Sequence, residues 1–192
     1  MEHKGTVRLE TARLLLRRFT MEDLEPFYRH CLRDYEVWRW TNYPQVENLT
    51  EMQAKAGLFT ENWFAAYDRP DRYSWAIAEK PEGPAIGRVF GMHPDGRAQD
   101  VELAYELCRE FWGRGYMTEA VKAVLGFFFE EAGFYRVHCY HADGNPASGR
   151  VMEKCGMRQE GIMKEACLCN GGRYDQINYA ILRKEWANPR VM

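Results

Sequence analysis

Apolar and polar positions alternate most cleanly between residues 101 and 107, where Val101, Leu103, Tyr105 and Leu107 interleave with Glu102, Ala104 and Glu106. That period of two predicts a strand buried on one face. Further along, Val121, Val124, Leu125, Phe128 and Ala132 recur at helical spacing, which predicts an amphipathic helix. The run Arg13-Leu14-Leu15-Leu16-Arg17-Arg18 reads as a first strand. Thr20 stands where it can cap a helix whose buried stripe is Leu24, Phe27, Tyr28, Cys31 and Leu32. A second helix is predicted from about Leu49 to Ala66, with Met52, Ala56, Phe59 and Trp63 sharing a face.

Tyr73 to Glu79 and Ala85 to Met92 read as a hairpin around Lys80-Pro81-Glu82-Gly83-Pro84, and the Asp95-Gly96 turn extends it into an antiparallel meander ending near Leu107. Tyr135 to Tyr140 predicts another strand. Asn145-Pro146 then opens a short helix, with Asn145 as N-cap and Pro146 at the first helical position, and Gly156 closes it. Strands near Met157 to Leu168 and Tyr174 to Leu182 flank the turn Asn170-Gly171-Gly172. The expected fold is α/β (α+β), a mixed and mostly antiparallel central sheet flanked by helices, with residues 1–192 as one domain.

Between the alternating strand and the amphipathic helix lies Trp112-Gly113-Arg114-Gly115-Tyr116-Met117-Thr118-Glu119. Glycines at 113 and 115 admit backbone angles closed to other residues and let a ligand approach the main chain. The helix start adds unpaired N–H groups and a partial positive charge. A plain strand-turn-helix corner and an anion site both fit this pattern. Neither G-x-x-x-x-G-K-[ST] nor G-x-G-x-x-G is present, which disfavours a P-loop or a dinucleotide site.

Composition narrows the classes. Lysine plus arginine total 26 against 28 aspartate plus glutamate, a net charge of −2 that gives no argument for nucleic acid as a partner. The N-terminal residues lack an apolar signal core and the longest apolar run, Ala123 to Phe129, is too short for a bilayer, so a soluble cytoplasmic protein without a membrane partner is expected. Six cysteines in that compartment read as reduced thiols. Cys167 and Cys169 share a strand face, but no second pair stands at metal-ligand spacing, so no metal is expected, and His138 and His141 receive no role.

Taken together, Glu102-Leu103-Ala104-Tyr105-Glu106-Leu107 through Thr118-Glu119-Ala120, then Asn145-Pro146-Ala147-Ser148, then Glu153-Lys154-Cys155-Gly156-Met157, resemble one family. The chain looks like a GNAT-superfamily N-acetyltransferase of the RimJ/RimL type, the group of ribosomal-protein N-acetyltransferases. Thr11 to Arg17 and Gly172 to Tyr179 match the same group, so the resemblance spans nearly the whole chain.

The resemblance implies acetyl transfer from acetyl-CoA to a primary amine, a protein N-terminus or a small molecule, in a monomer or homodimer. It implies that Trp112, Gly113, Arg114, Gly115, Tyr116, Met117 and Thr118 hold the pyrophosphate, that the main chain of Leu107 and Cys108 binds the pantetheine arm, and that Asn145 and Ser148 approach it. The chain departs from the superfamily pattern at Trp112 and at the bulky Met117. Cys167 stands where some relatives carry a glutamate base. Ser148 is the candidate acid, with a helix-surface hydroxyl as its equal alternative. Glu102 and Glu106 share a strand face and are candidates to draw a proton from the amine, or else ordinary exposed strand residues. Tyr28, Trp38, Trp40, Tyr43, Trp63 and Tyr73 lie in the half that builds the acceptor cleft in that family, as packing or as lining. A non-catalytic sensor that binds coenzyme A on the same fold is the alternative function.

Overall fold

The computed structural model describes residues 1–43 and 65–188. One eight-stranded sheet runs in the order β1-β2-β3-β4-β5-β6-β8-β7. Its strands are β1 (Leu9–Glu10), β2 (Leu14–Arg17), β3 (Tyr73–Glu79), β4 (Ala85–Asp95), β5 (Asp100–Leu107), β6 (Arg136–Ala142), β7 (Arg158–Cys169) and β8 (Gly172–Leu182). All neighbours are antiparallel except β5 and β6. The expected meander is β3-β4-β5, and Asp95 makes its second turn by accepting the N–H groups of Arg97 at 2.7 Å and Ala98 at 2.9 Å.

A parallel pair needs a crossover, and here it contains the helix α3 (Tyr116–Gly126), carried on by a π-helical stretch over Phe127–Ala132. With α4 (Pro146–Lys154) and α5 (Arg183–Ala187) it covers one face of the sheet. Tyr73, Trp75, Ile77, Val89 and Leu103 from the strands bury against Val121, Val124, Leu125 and Phe128. Fully burying one such side chain contributes about 1.5–3 kcal/mol. Tyr73 and Phe128 meet edge-to-face at 5.2 Å.

The opposite face receives the N-terminal helices α1 (Leu24–Phe27) and α2 (Tyr35–Trp38), joined by a π-helical stretch at Tyr28–Leu32. The predicted stripe is buried in full: Leu24, Phe27, Tyr28, Cys31 and Leu32 pack with Ala76, Ala85 and Cys108. The helix expected from Leu49 falls outside the described residues except at its end, where Ala65–Asp68 form a 3-10 turn. No helix among the described residues is long and apolar enough to cross a membrane.

One cap differs from expectation: Asn145 makes no side-chain cap bond to α4. Thr20 opens the first helical turn in a capping box with Asp23, whose carboxylate accepts the Thr20 N–H at 2.8 Å and the Thr20 hydroxyl at 3.2 Å. Asp23 also accepts the N–H of Ala85 at 2.9 Å and a two-pronged bond from Arg17 at 2.6 and 2.9 Å. This buried carboxylate ties the first helical turn to β2 and β4.

Burial alone would raise the Asp23 pKa, but the Arg17, Thr20 and Ala85 donors outweigh it and hold it below the ordinary aspartate value of 3.8. Its stabilisation is therefore present above that value and lost as pH falls through the lower folded value. Asp23→Asn should cost about 2 kcal/mol at neutral pH, the scale of charge-assisted bonds. Denaturant melts in a pH series should show the gap from the parent protein closing below about pH 4.

Candidate functional site

Strands β5 and β6 pair over only three positions, Asp100↔Arg136, Val101↔Val137 and Glu102↔His138. Beyond Glu102 they part. Strand β6 continues to Ala142 on β8 alone, and β5 continues to Leu107 on β4 alone. The Cys108 N–H donates to the Ile86 carbonyl at 2.9 Å. Antiparallel alternation then has Glu106 exchanging bonds with Arg88, while Tyr105 and Leu107 turn their N–H and C=O groups into the gap. The Leu107 carbonyl accepts the Trp112 indole N–H at 2.7 Å. Cys108 differs from expectation, since its N–H goes to Ile86 and its carbonyl accepts from Phe111 at 3.0 Å. The open edge therefore belongs to Tyr105 and Leu107.

The glycine corner sits at the end of that edge. Gly113 and Gly115 have φ of 75° and 78°, the left-handed region, where a side chain costs about 1–2 kcal/mol. A Cβ on Gly113 would meet nothing within 4 Å, so the outer side of the loop is open. The first intrahelical bond of α3 runs from Glu119 N–H to the Gly115 carbonyl at 3.0 Å. Among the described residues, the N–H groups of Gly113, Arg114, Gly115, Tyr116, Met117 and Thr118 have no partner. Six adjacent main-chain donors at a helix start form an anion cradle. Met117 does not obstruct it, because its side chain turns inward and is buried in the core.

A strut holds this corner to the turn between β1 and β2. Glu119 accepts from the Thr11 hydroxyl at 2.6 Å, the Arg13 N–H at 3.0 Å and the Arg13 guanidinium at 2.7 Å. Burial acts to raise the Glu119 pKa, but the Thr11 and Arg13 donors prevail and hold it low. Arg13 also donates to the Arg114 carbonyl at 3.0 Å and lies 4.5 Å above the Tyr116 ring. Tyr116 donates to Glu79 at 2.5 Å. The corner is thus braced from the β1–β2 turn and from β3 while its N–H groups stay unbonded.

Ser148 lies in the first turn of α4. Its hydroxyl donates to the Tyr105 phenol oxygen at 3.0 Å, and that phenol donates to the Ser148 carbonyl at 2.9 Å. Asn145, just before the helix, is half-buried with no cap bond. Cys155 at the far end of α4 donates its thiol to the Thr118 carbonyl at 3.6 Å, which ties α4 to the start of α3.

Glu102 and Glu106 occupy the other face of β5. Glu106 is buried in an ion pair with Arg88 and accepts the Tyr43 hydroxyl at 2.8 Å. Burial, followed by the Glu106 charge, pushes the Tyr43 pKa well up. Glu102 is half-buried and has no hydrogen bond or ion pair among the described residues. Tyr140 of β6 is on the same face and exposed. Ser148 and the two glutamates therefore reach the gap from opposite sides of the sheet.

The tip of the β7–β8 hairpin closes on the segment after α2. Asn170 donates its side-chain amide to Trp38, Thr41 and Tyr43, and Trp40 packs on Tyr174 at 5.3 Å. Trp38 donates to the Tyr43 carbonyl at 3.2 Å. Tyr28 is core and Trp63 lies outside the described residues. Tyr73 belongs to the opposite face, in the core under α3. At Cys167 there is no carboxylate; its sulfur stands 3.4 Å from that of Cys169, as sharing a strand face requires. Among the described residues no group of three or more metal-ligating side chains forms.

Two participants escape a reading of the sequence. Tyr105 alternates in phase with Val101, Leu103 and Leu107, so it reads as packing. Arg88 interrupts the apolar run from Ala85 to Val89, a signal of a buried charge needing a partner.

Residues 13–158 match the family described as "Acetyltransferase (GNAT) domain". The chain is 28% identical to the uncharacterized N-acetyltransferase YoaA of Bacillus subtilis (strain 168), over 91% of this chain and 96% of that one. It is 25% identical to the ribosomal protein uS5-alanine N-acetyltransferase of Escherichia coli (strain K12), over 96% and 95%. Among solved structures, a GNAT-family acetyltransferase from Bacillus anthracis aligns with a TM-score of 0.77 at 25% identity, covering 93% of this chain and all of that one.

The strut makes a measurable demand. Glu119→Ala removes the acceptor of Thr11 and Arg13 and should cost about 2 kcal/mol in denaturant melts, on the scale of charge-assisted bonds. Hydrogen exchange should speed at the amide of residue 119, which is bonded to the Gly115 carbonyl at 3.0 Å, while the β3–β4 ladder keeps its protection.

Proposed function

The chain belongs to the GNAT acetyltransferase family, and from that premise we propose that it transfers an acetyl group from acetyl-CoA to a primary amine, with residues 1–192 acting as one catalytic domain. The carrying observation is the run of unpaired main-chain N–H groups from Gly113 to Thr118, set at the end of the open β5 edge. A diphosphate needs convergent donors at a helix start, and that run supplies them. A pantetheine arm carries amides, and the N–H and C=O groups of Tyr105 with the N–H of Leu107 suit it as a strand-like partner, the Leu107 carbonyl being taken by the Trp112 indole. The residues present fit the cofactor.

Acetyl-CoA supplies an activated thioester, which the neutral amine attacks directly in a ternary complex with no covalent enzyme intermediate. Gly113, Arg114, Gly115, Tyr116, Met117 and Thr118 bind the pyrophosphate through their backbone and the helix start, while Trp112, whose own N–H donates to the Arg109 carbonyl at 3.0 Å, borders them. Asn145, whose amide is not spent on a cap, is free to bond the pantetheine arm. Ser148 is the candidate acid, whose hydroxyl would serve the departing sulfur. Of the two glutamates, Glu102 is the available carboxylate, directly or through water, because Glu106 is engaged by Arg88 and Tyr43. Alignment of amine and thioester contributes a large share of the rate.

The acceptor class is a protein N-terminus or a small-molecule amine, and the similarity to the uS5-alanine N-acetyltransferase supports trying alanine N-termini first. The absence of a carboxylate at Cys167 favours a second reading, a coenzyme-A-binding sensor without turnover. Calorimetric titration with acetyl-CoA, followed by a thiol-release assay with amines and N-terminal peptides, separates them. Binding with release supports the transferase, and binding without release against the whole panel supports the sensor. Absence of binding overturns both.

Gly115→Val should weaken acetyl-CoA binding at least about tenfold, since a β-branched residue resists the left-handed conformation and the donors would turn away. Circular dichroism should show the sheet intact, and unchanged affinity would remove the corner from the site. Ser148→Ala should lower kcat by roughly 10²-fold, at the lower end of acid–base contributions, with little change in acetyl-CoA affinity.

A further inference from the structure

The backbone ladder between β5 and β6 ends at Glu102, yet the two halves of the sheet remain joined farther along by side-chain chemistry. Tyr105 stands on β5 beyond the last paired residue, and Ser148 stands on α4, which follows β6. Two hydrogen bonds link them, both ending on one phenol oxygen. A carbonyl can only accept, so the phenol proton is committed to the Ser148 C=O. What remains of the phenol oxygen is an acceptor, and Ser148 Oγ–H is its donor.

From this closed pair we propose that Tyr105 is the positioning residue for Ser148, holding the first turn of α4 and the serine hydroxyl at the mouth of the β5–β6 gap. The proposal rests on the reading of Ser148 as the group that serves the cofactor sulfur. A serine in a helix ordinarily turns its hydroxyl back to a carbonyl of the preceding turn. Tyr105 competes with that conformation and keeps the O–H directed away from its own helix. When negative charge gathers on the sulfur, the O–H needs only to exchange a neutral phenol acceptor for an anionic one, the stronger partner. The phenol is partly buried, and the loss of solvent pushes its pKa well up, so it stays a neutral donor to the carbonyl. Anchoring α4 matters at its other end as well, where Cys155 touches the Thr118 carbonyl. One helix thus sets the serine and contacts the start of α3.

The test reads the thiol of bound coenzyme A and needs no acceptor. The ultraviolet absorbance of the thiolate, followed in a pH titration of the complex, gives the thiol pKa in the parent protein, Tyr105→Phe, Ser148→Ala and the double variant. A serine hydroxyl donating to the thiolate lowers that pKa. Ser148→Ala and Tyr105→Phe should each raise it by about one unit, a tenfold shift in the ionisation equilibrium. The double variant should rise no further than Ser148→Ala, because both act through one hydrogen bond.

A parent-like pKa in folded Tyr105→Phe overturns the proposal and leaves the cofactor site standing. A parent-like pKa in Ser148→Ala removes the serine from the sulfur and Tyr105 with it. Failure of the parent protein to bind coenzyme A overturns the site itself. Site-specific 3-fluorotyrosine at position 105 keeps the packing if the phenylalanine variant does not fold. Its phenol is the weaker acceptor, so it holds the serine hydroxyl less firmly away from its own helix and should raise the thiol pKa in the same direction as Tyr105→Phe by a smaller amount, and an unchanged or lowered value counts against the proposal.

Discussion

Only three residue pairs hold β5 to β6, and the rest of the site is arranged around the place where that pairing stops. A strand that loses its neighbour leaves N–H and C=O groups without partners, and such groups seek bonds at a cost comparable to a lost hydrogen bond when dry. Here the gap leaves that demand unmet along β5, as the proposed cofactor edge requires. The parting stays in place because each strand keeps its other neighbour: β4 stays on β5 as far as Leu107, and β8 stays on β6 as far as Ala142. The ends of the gap are fixed by side chains, Trp112 on the Leu107 carbonyl and Tyr105 on Ser148.

The donors at the corner come from the main chain more than from basic side chains. Arg13 is nearby, but its charge is matched by Glu119 and its guanidinium is spent on the strut. Its role is mechanical. Donors fixed before a ligand arrives need no reordering when it binds, which is the advantage of a braced loop over a mobile lysine. The glycines are needed because the turn passes twice through the left-handed region, leaving the loop's outer side clear at Gly113.

The two faces of β5 divide the polar work. On the α3–α4 side Tyr105 and Ser148 are neutral and hydrogen-bonded to each other. On the other side Arg88, Glu106 and Tyr43 form a buried charged group, and Glu102 stands apart from it. A buried ion pair is costly to break because removal of one partner strands the other. Glu106 is therefore better suited to holding Tyr43 and the segment after α2 than to taking up a proton, and the alternation of β5 leaves Glu102 with the freer carboxylate.

Sequence periodicity alone determined the meander, the long amphipathic helix, the first helical stripe and the glycine corner, because those features depend on neighbours close along the chain. Leu24, Phe27, Tyr28, Cys31 and Leu32 are buried as their spacing demands, and Gly113 and Gly115 take the angles their type permits. The tertiary structure decided what depends on contacts between distant residues: where β5 and β6 part, that Cys108 closes its backbone bonds locally, that Met117 turns inward, and that Tyr73 lies on the opposite face from Tyr43. The Tyr105–Ser148 pair shows why. Its members are 43 positions apart, and a tyrosine in phase with apolar neighbours reads as packing until the fold brings a serine to its hydroxyl.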